Sequence, residues 1–307
     1  MKIVFIGCVE IGFKCLQQII KDKWDVVAIF TLAKKYAKLT SGFIDFSEIN
    51  SQNKIPIYKV KDVKYILNIN RIARLSPDLI VVCGWQRLIG KEILKIPKKG
   101  VIGFHSSLLP RYRGRAPVNW AIINGEKQTG VTMFYCESGI DSGDIIAQKS
   151  FSIKLNDTCK TVYDKSAKAA CALLHRYLPE IEKGSVRRLE NKSHRFPCWP
   201  KRNPGDGLID WNMSALKVHN WIRALTSPYP GSFSYYNSEK YFILISMYDK
   251  ILKHVSRPPG EIIRIDNSGS GVKLLVATKD RPLWVWGITK DNGRPEVIFK
   301  VGEKFDG

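Results

Sequence analysis

Residues 2–6 (KIVFI) are apolar after Lys2 and stop at Gly7. Residues 11–21 then carry Ile11, Leu16, Ile19 and Ile20 at helical spacing, and a second apolar run, Val26 to Phe30, follows. Strand, helix and strand in that order predict the start of a parallel βαβ unit. Residues 79–83 (LIVVC) read as another buried strand, followed by a turn at Gly84 and a helix over 86–95. Further strands are expected at 101–104 and 131–135, and further helices at 116–124 and 158–183. Such alternation predicts an α/β fold: an open parallel, Rossmann-like sheet with right-handed crossovers.

The pattern changes after residue 184. Residues 194–207 (HRFPCWPKRNPGDG) are turn-rich, with Pro197, Pro200, Pro204 and two glycines. Beyond a helix at 214–225, short β runs recur at 231–236, 241–247, 260–265, 272–277 and 283–288. They predict a small C-terminal β-barrel of OB-like type. The expected division is an α/β domain at 1–190, a linker at 191–207 and the barrel at 208–307.

Composition narrows the class. A chain of 307 residues has room for about two domains. With 44% hydrophobic and 25% charged residues it is neither disordered nor low in complexity. No run approaches the roughly 18 apolar residues of a membrane span. The apolar stretch at the N-terminus is too short for a secretory signal. A cytoplasmic location is expected. Seven cysteines (8, 15, 83, 136, 159, 171 and 198) form no CxxC pair and read as free thiols. The net charge of +21 points to anionic partners. Residues 205–307 hold 14 Lys+Arg against 11 Asp+Glu, so the excess lies in the N-terminal part. The first loop, Gly7-Cys8-Val9-Glu10-Ile11-Gly12, lacks the middle glycine of a GxGxxG turn, which disfavours a dinucleotide site.

The chemistry concentrates in residues 100–145. His105 ends a predicted strand, where α/β sheets place ligands. Ser106 to Pro110 open a loop that continues as Arg111, Arg113 and Arg115 interleaved with Tyr112 and Gly114. Asp141 follows the next strand in the turn Gly139-Ile140-Asp141-Ser142-Gly143. Across a crevice the carboxylate would orient and charge the imidazole. Taken singly, His105 also reads as a strand-end histidine and Asp141 as a turn residue.

Gly103-Phe104-His105-Ser106-Ser107-Leu108-Leu109-Pro110, with Asp141-Ser142-Gly143 after it, closely resembles the signature of the folate-dependent formyltransferases. So do the opening KIVFIG, Pro77 to Val82, Asp206 to Trp211, and Ile222-Arg223-Ala224 through Pro228 to Gly231. The resemblance covers nearly the whole chain. It implies transfer of a formyl group from N10-formyltetrahydrofolate to an uncharged amine, through a tetrahedral intermediate, with no metal. His105 would stabilise the oxyanion, and Asp141 would hold the imidazolium and take the amine proton. Folate contacts are expected at Trp85, Gln86, Arg87, Leu88, Ile89 and Ile140, although Trp85 also suits an ordinary core. Ser107, Leu109, Pro110, Arg113 and Arg115 are the candidate substrate contacts, with the arginines meeting a nucleotide diphosphate.

One position departs from the family. Gly103 stands where the family has an asparagine that donates to the formyl oxygen. Three readings compete: a cationic His105 carries the oxyanion with a water in the gap, glycine is normal for a subfamily, or the protein is slow or inactive. The first expects Gly103→Asn to speed the chemical step if the backbone there is ordinary β.

The run Arg113 to Trp120 is especially similar to the sugar N-formyltransferases. The implied substrate is a nucleotide-linked amino sugar for surface glycan (lipopolysaccharide) synthesis. The alternatives are methionyl-tRNA formyltransferase, in which initiator tRNA is the partner, and a weakened folate- or nucleotide-binding relative. Residues 31–46 lack the longer Gly-Arg-Gly type loop of the tRNA enzymes. No membrane partner is expected; a homodimer is allowed for.

Overall fold

The short apolar runs and their partners assemble into two sheets in a computed structural model that describes residues 1–49, 54–269, 271–290 and 298–306. The chain divides into two units. The first comprises Met1–Pro117, Gln128–Ser152 and Tyr163–Pro200; the second comprises Val118–Lys127, Ile153–Val162 and Lys201–Gly307.

The first unit is built on a seven-stranded sheet. In chain order its strands are β1 (Lys2–Ile6), β2 (Asp25–Leu32), β3 (Ile57–Val60), β4 (Leu79–Val82), β5 (Val101–His105), β6 (Gln128–Tyr135) and β7 (Ile145–Ser152). Their order in space is β3-β2-β1-β4-β5-β6-β7. All four residues of β4 and the last four of β1 are buried, as strands covered on both faces must be. Pairing is parallel from β3 to β5, and antiparallel from β5 through β6 to β7. The expected parallel sheet therefore carries an antiparallel edge, and β3 and β7 join it. The sheet remains Rossmann-like, with α1 (Glu10–Lys21) burying Cys15, Leu16 and Ile19 against one face. Glu10 in its first turn and Lys21 in its last suit the helix dipole. Gly7 and Gly12 let the loop between β1 and α1 close on β4: a Cβ on either would stand 2.3 Å from the Cys83 carbonyl oxygen.

Two further helices, α2 (Ile66–Leu75) and α3 (Lys91–Leu94), follow β3 and β4. The helix expected over 86–95 is thus confined to its last turn. Residues 85–90 stay irregular, with Leu88 exposed and Gly90 in extended backbone before the turn. Helices α4 (Pro117–Ile123) and α5 (Cys159–Lys183) match the expected spans closely. Among the described residues no helix is long and apolar enough to cross a membrane.

The second unit carries α6 (Ala215–Leu225) and five antiparallel strands: β8 (Ser232–Tyr236), β9 (Glu239–Met247), β10 (Ile262–Asp266), β11 (Lys273–Val276) and β12 (Leu283–Thr289). They run β10-β11-β12-β9-β8. Residues 302–306 then hydrogen-bond to both edges: Phe305 N–H to Gly260, and Tyr235 and Asp306 to each other. Trp211, Tyr236, Tyr241, Phe299 and Phe305 fill the interior.

His219 on α6 is a buried histidine with both ring nitrogens engaged, Nδ1 with Ser246 Oγ at 2.8 Å and Nε2 with the Leu155 carbonyl at 3.0 Å. Burial holds its pKa down at about 4, against the pull of the Leu155 bond. The unfolded chain takes up that proton near pH 6.5 and the folded one does not until about pH 4. Stability contributed by the neutral ring is therefore complete above about pH 6.5 and lost as the pH falls toward 4, by roughly 1.4 kcal/mol per unit at most. Urea titrations of the wild type and His219→Gln between pH 7 and 4 should show a steeper acid loss in the wild type.

Candidate functional site

The ends of β5 and β6 place the chemistry. His105 is the last residue of β5, and its side chain is 8% exposed. Its Nε2 donates to the Tyr112 carbonyl at 2.8 Å, which leaves Nδ1 toward Asp141 Oδ2 at 3.6 Å. That oxygen also accepts the Gly114 N–H at 2.9 Å. Asp141 holds a left-handed backbone, φ +47°, as do Tyr112 (+56°) and Ala116 (+52°). Aspartate tolerates this region better than tyrosine or alanine, and the latter two mark a loop held in place by its contacts. His105 and Asp141 thus approach each other across the ends of neighbouring strands.

The loop after β5 dips into the protein. Ser107 is fully buried and Leu109 is 3% exposed. Ser107 Oγ donates to the Arg111 carbonyl at 2.6 Å. Thr132 Oγ1, on β6, donates to the Ser107 carbonyl at 2.7 Å and accepts the Leu109 N–H at 2.9 Å. Gln148 Nε2, on β7, donates to the Leu109 carbonyl at 2.7 Å and to Thr132 Oγ1 at 2.8 Å. Ser107 and Leu109 therefore shape the loop's own backbone, while Pro110 is half-buried beyond a cis peptide. Thr132 and Gln148 escaped the sequence reading; a lone hydroxyl and amide on alternating strands carry no signature.

Arg113 and Arg115 leave this loop in different directions. Arg113 Nη2 donates to the Ile140 carbonyl at 2.9 Å and Arg115 Nη1 to the Gln86 carbonyl at 2.7 Å. Both arginines are thereby tied to expected folate residues. The strand-like segment at Trp199 runs beside them, its N–H donating to the Arg113 carbonyl and its carbonyl accepting from Arg115 N–H, at 2.8 and 3.0 Å. Its ring stacks on Tyr112 with centroids 5.1 Å apart.

Of the expected folate residues, Leu88 and Ile140 are 56% and 43% exposed, Gln86 is exposed, and Arg87 and Ile89 are half-buried. Trp85 packs at the edge of the core with the Arg87 guanidinium 5.4 Å from its ring. Its indole N–H is buried with no protein acceptor among the described residues. A buried unpaired donor is the mark of a site that a ligand or water completes. No group of three or more His, Cys, Asp or Glu placed to hold a metal ion occurs among the described residues.

Position 103 is not a vacancy. Gly103 lies in ordinary extended pairing between Val82 and Phe134, on the face of β5 that also presents His105. A Cβ there would stand 2.7 Å from the Cys136 sulfur and 3.1 Å from the Phe134 ring. The nearest of these atoms is the far end of the Cys136 side chain, so a Cβ at 103 fits only if that thiol shifts. Burial, with the Asp141 charge behind it, pushes the Cys136 thiol up to about 12, so it stays protonated. Gly103→Asn should therefore destabilise the first unit by about 1–3 kcal/mol through overpacking. In urea denaturation Cys136→Gly in the same chain should recover part of that loss.

Comparison with known proteins identifies the family. Residues 1–178 match the formyl transferase family, and residues 201–298 match the formyl transferase C-terminal domain. The chain is 37% identical over 283 residues to the bifunctional polymyxin resistance protein ArnA of Wigglesworthia glossinidia brevipalpis, covering 92% of this chain but 42% of that protein. It is 36% identical over 306 residues to the methionyl-tRNA formyltransferase of Clostridioides difficile (strain 630), covering 97% and 95% of the two chains. Its fold is shared with the N-formyltransferase from Helicobacter canadensis solved with folinic acid and dTDP-3-aminofucose, at a TM-score of 0.70 and 18% identity over 93% of this chain and 98% of that one. With both domains matched and a relative aligned over almost its full length, the chain belongs to the formyl transferase family and is a formyltransferase.

Proposed function

We propose that the protein transfers a formyl group from N10-formyltetrahydrofolate to the amine of a nucleotide-linked amino sugar. The observation that carries this reading is the loop from Arg111 to Arg115 beside the His105–Asp141 pair. It carries the Arg113 and Arg115 guanidiniums, each of which donates an N–H to a backbone carbonyl and carries further N–H groups that suit a phosphate, and Tyr112, on which Trp199 stacks. In this reading His105 and Asp141 are the catalytic pair. To meet charge developing on the formyl oxygen the imidazole must exchange its Nε2 bond to the Tyr112 carbonyl for one to that oxygen, while the carboxylate, oriented by Gly114 N–H, faces Nδ1 to balance it and to receive the amine proton. The folate supplies the activated formyl group. The unpaired indole N–H of Trp85 and the exposed Leu88 and Ile140 suit a flat heteroaromatic ring with hydrogen-bond acceptors. Gln86, Arg87 and Ile89 complete that loop. Ser107 and Leu109, both buried, shape the substrate loop, and Pro110 follows them half-buried. A cytoplasmic location and a role in surface glycan synthesis follow from a nucleotide-sugar substrate.

Met-tRNA formylation is the second reading. The nearly full-length match to the Clostridioides difficile enzyme and the charge of +21 favour it. Against it, the stretch after β2 does not reach outward. A 3-10 turn at Lys34–Leu39 leads back so that Phe43 pairs with Val9, Ile44 N–H bonds to Cys8, and Phe46 is fully buried. The turn exposes Lys34, Lys35 and Lys38, so it offers cations to phosphate but forms no extended arm.

His105→Ala and Asp141→Ala should each lower formyl transfer by about 100-fold or more without unfolding the protein. Wild-type rates in either would remove that residue from the mechanism. The acceptor is settled by mass. Incubation with formyl-folate and a panel of UDP-, dTDP- and CMP-linked amino sugars plus Met-tRNA should formylate a nucleotide sugar. Formylation of Met-tRNA alone would establish the second reading, and formylation of neither would favour a ligand-binding relative.

A further inference from the structure

We infer that Asn191 is a positioning residue for Asp141, acting through the backbone of its turn. The inference rests on the reading of His105 and Asp141 as the reacting pair. Asp141 lies in a left-handed conformation that its turn does not enforce by glycine, so something must hold it there. Asn191 does. Its Nδ2 donates to the Asp141 carbonyl at 2.9 Å and to the Gly143 carbonyl at 3.2 Å, spanning the turn from below. The side chain is 7% exposed. Turning the amide over would set Oδ1 against two carbonyl oxygens, so its orientation is fixed.

The way this amide is delivered matters. Leu189 and Ile145 exchange both backbone hydrogen bonds, at 2.8 and 2.9 Å, and so anchor the chain just before Asn191 to the start of β7. The turn's base is held by Asn191, and its carboxylate by the Gly114 N–H. Together these two contacts set the 3.6 Å between Oδ2 and His105 Nδ1. Farther along the same segment, Trp199 pairs with Arg113 and Arg115 and stacks on Tyr112, whose carbonyl receives His105 Nε2. One stretch, residues 189–199, therefore reaches both halves of the pair.

A second observation separates this role from simple stapling. Asn191 Oδ1 is buried with no partner among the described residues. An amide retained for stability alone would pair both ends; one retained for its donor tolerates the cost of an unpaired acceptor.

A double-mutant cycle tests this, using wild type, Asn191→Ala, Asp141→Asn and the double variant. The probe amine is dTDP-3-aminofucose, or Met-tRNA if the panel returns that acceptor, with single turnovers at saturating formyl-folate. Asn191→Ala should lower the rate about 10- to 100-fold with half-saturating concentrations of both substrates within twofold of wild type. In the Asp141→Asn background it should add no further loss. Asn191→Leu, close in volume but unable to donate, should reproduce the loss and serves if the alanine variant does not fold. An equal loss in both backgrounds, or wild-type rates in both Asn191 variants, would overturn the positioning role. A wild-type rate in Asp141→Asn would instead overturn the catalytic reading beneath it.

Discussion

A loop can enter a protein interior only if its main chain finds partners there, and the loop after β5 depends on two side chains for them. Thr132 receives and donates at once, and Gln148 closes the circuit to the Leu109 carbonyl. Both stand on the antiparallel edge of the sheet, whose pleat points alternate residues to the same face. With those bonds made, Ser107 and Leu109 sit in the core, and the chain emerges at Tyr112 with its carbonyl under the His105 ring. The placing of the Tyr112 carbonyl against His105 is a consequence of satisfying that buried backbone. A buried network of this kind is stabilising only when complete, which makes each member intolerant of truncation.

The fold was largely legible because its central strands are continuous apolar runs. KIVFI and LIVV admit little but burial on both faces. The edges were harder. β7, IIAQKSFS, is buried only over its first three residues, so its latter half reads as a polar loop. α2 hid for a similar reason: its first residues, Ile66 and Leu67, are apolar yet exposed, which blurs the helical period. The antiparallel turn of β6 has no local signature at all, since its seven buried residues would suit either direction.

The site was legible where its residues lie in one stretch of sequence. His105 and Asp141 announced themselves by standing after neighbouring strands, and in the structure they approach each other across those strand ends. Gly103 was visible only as a missing side chain. The atoms that explain it, Cys136 and Phe134, come from the next strand and depend on register, which composition does not reveal. Residues 191–207 read as a linker because the stretch 194–207 is rich in turn residues. The stretch is irregular, but its backbone is paired at Trp199, as it is just before it at Leu189. Irregular sequence and loose structure are different properties.

The chain passes between its two units more than once. Residues 118–127 and 153–162 belong with the C-terminal unit although residues on either side of each belong with the first. Within that second unit the interleaved pieces are bonded: Asn119 donates to the Ala224 carbonyl at 2.7 Å, and Arg223 to the carbonyls of Lys154 and Asp157 at 3.2 and 2.7 Å. Modular exchange is therefore not available by joining chains at one junction. A barrel transplanted from residue 201 onward would leave those carbonyls and that amide behind, so new specificities in such a protein must arise by substitution within the fold and not by recombination of its halves.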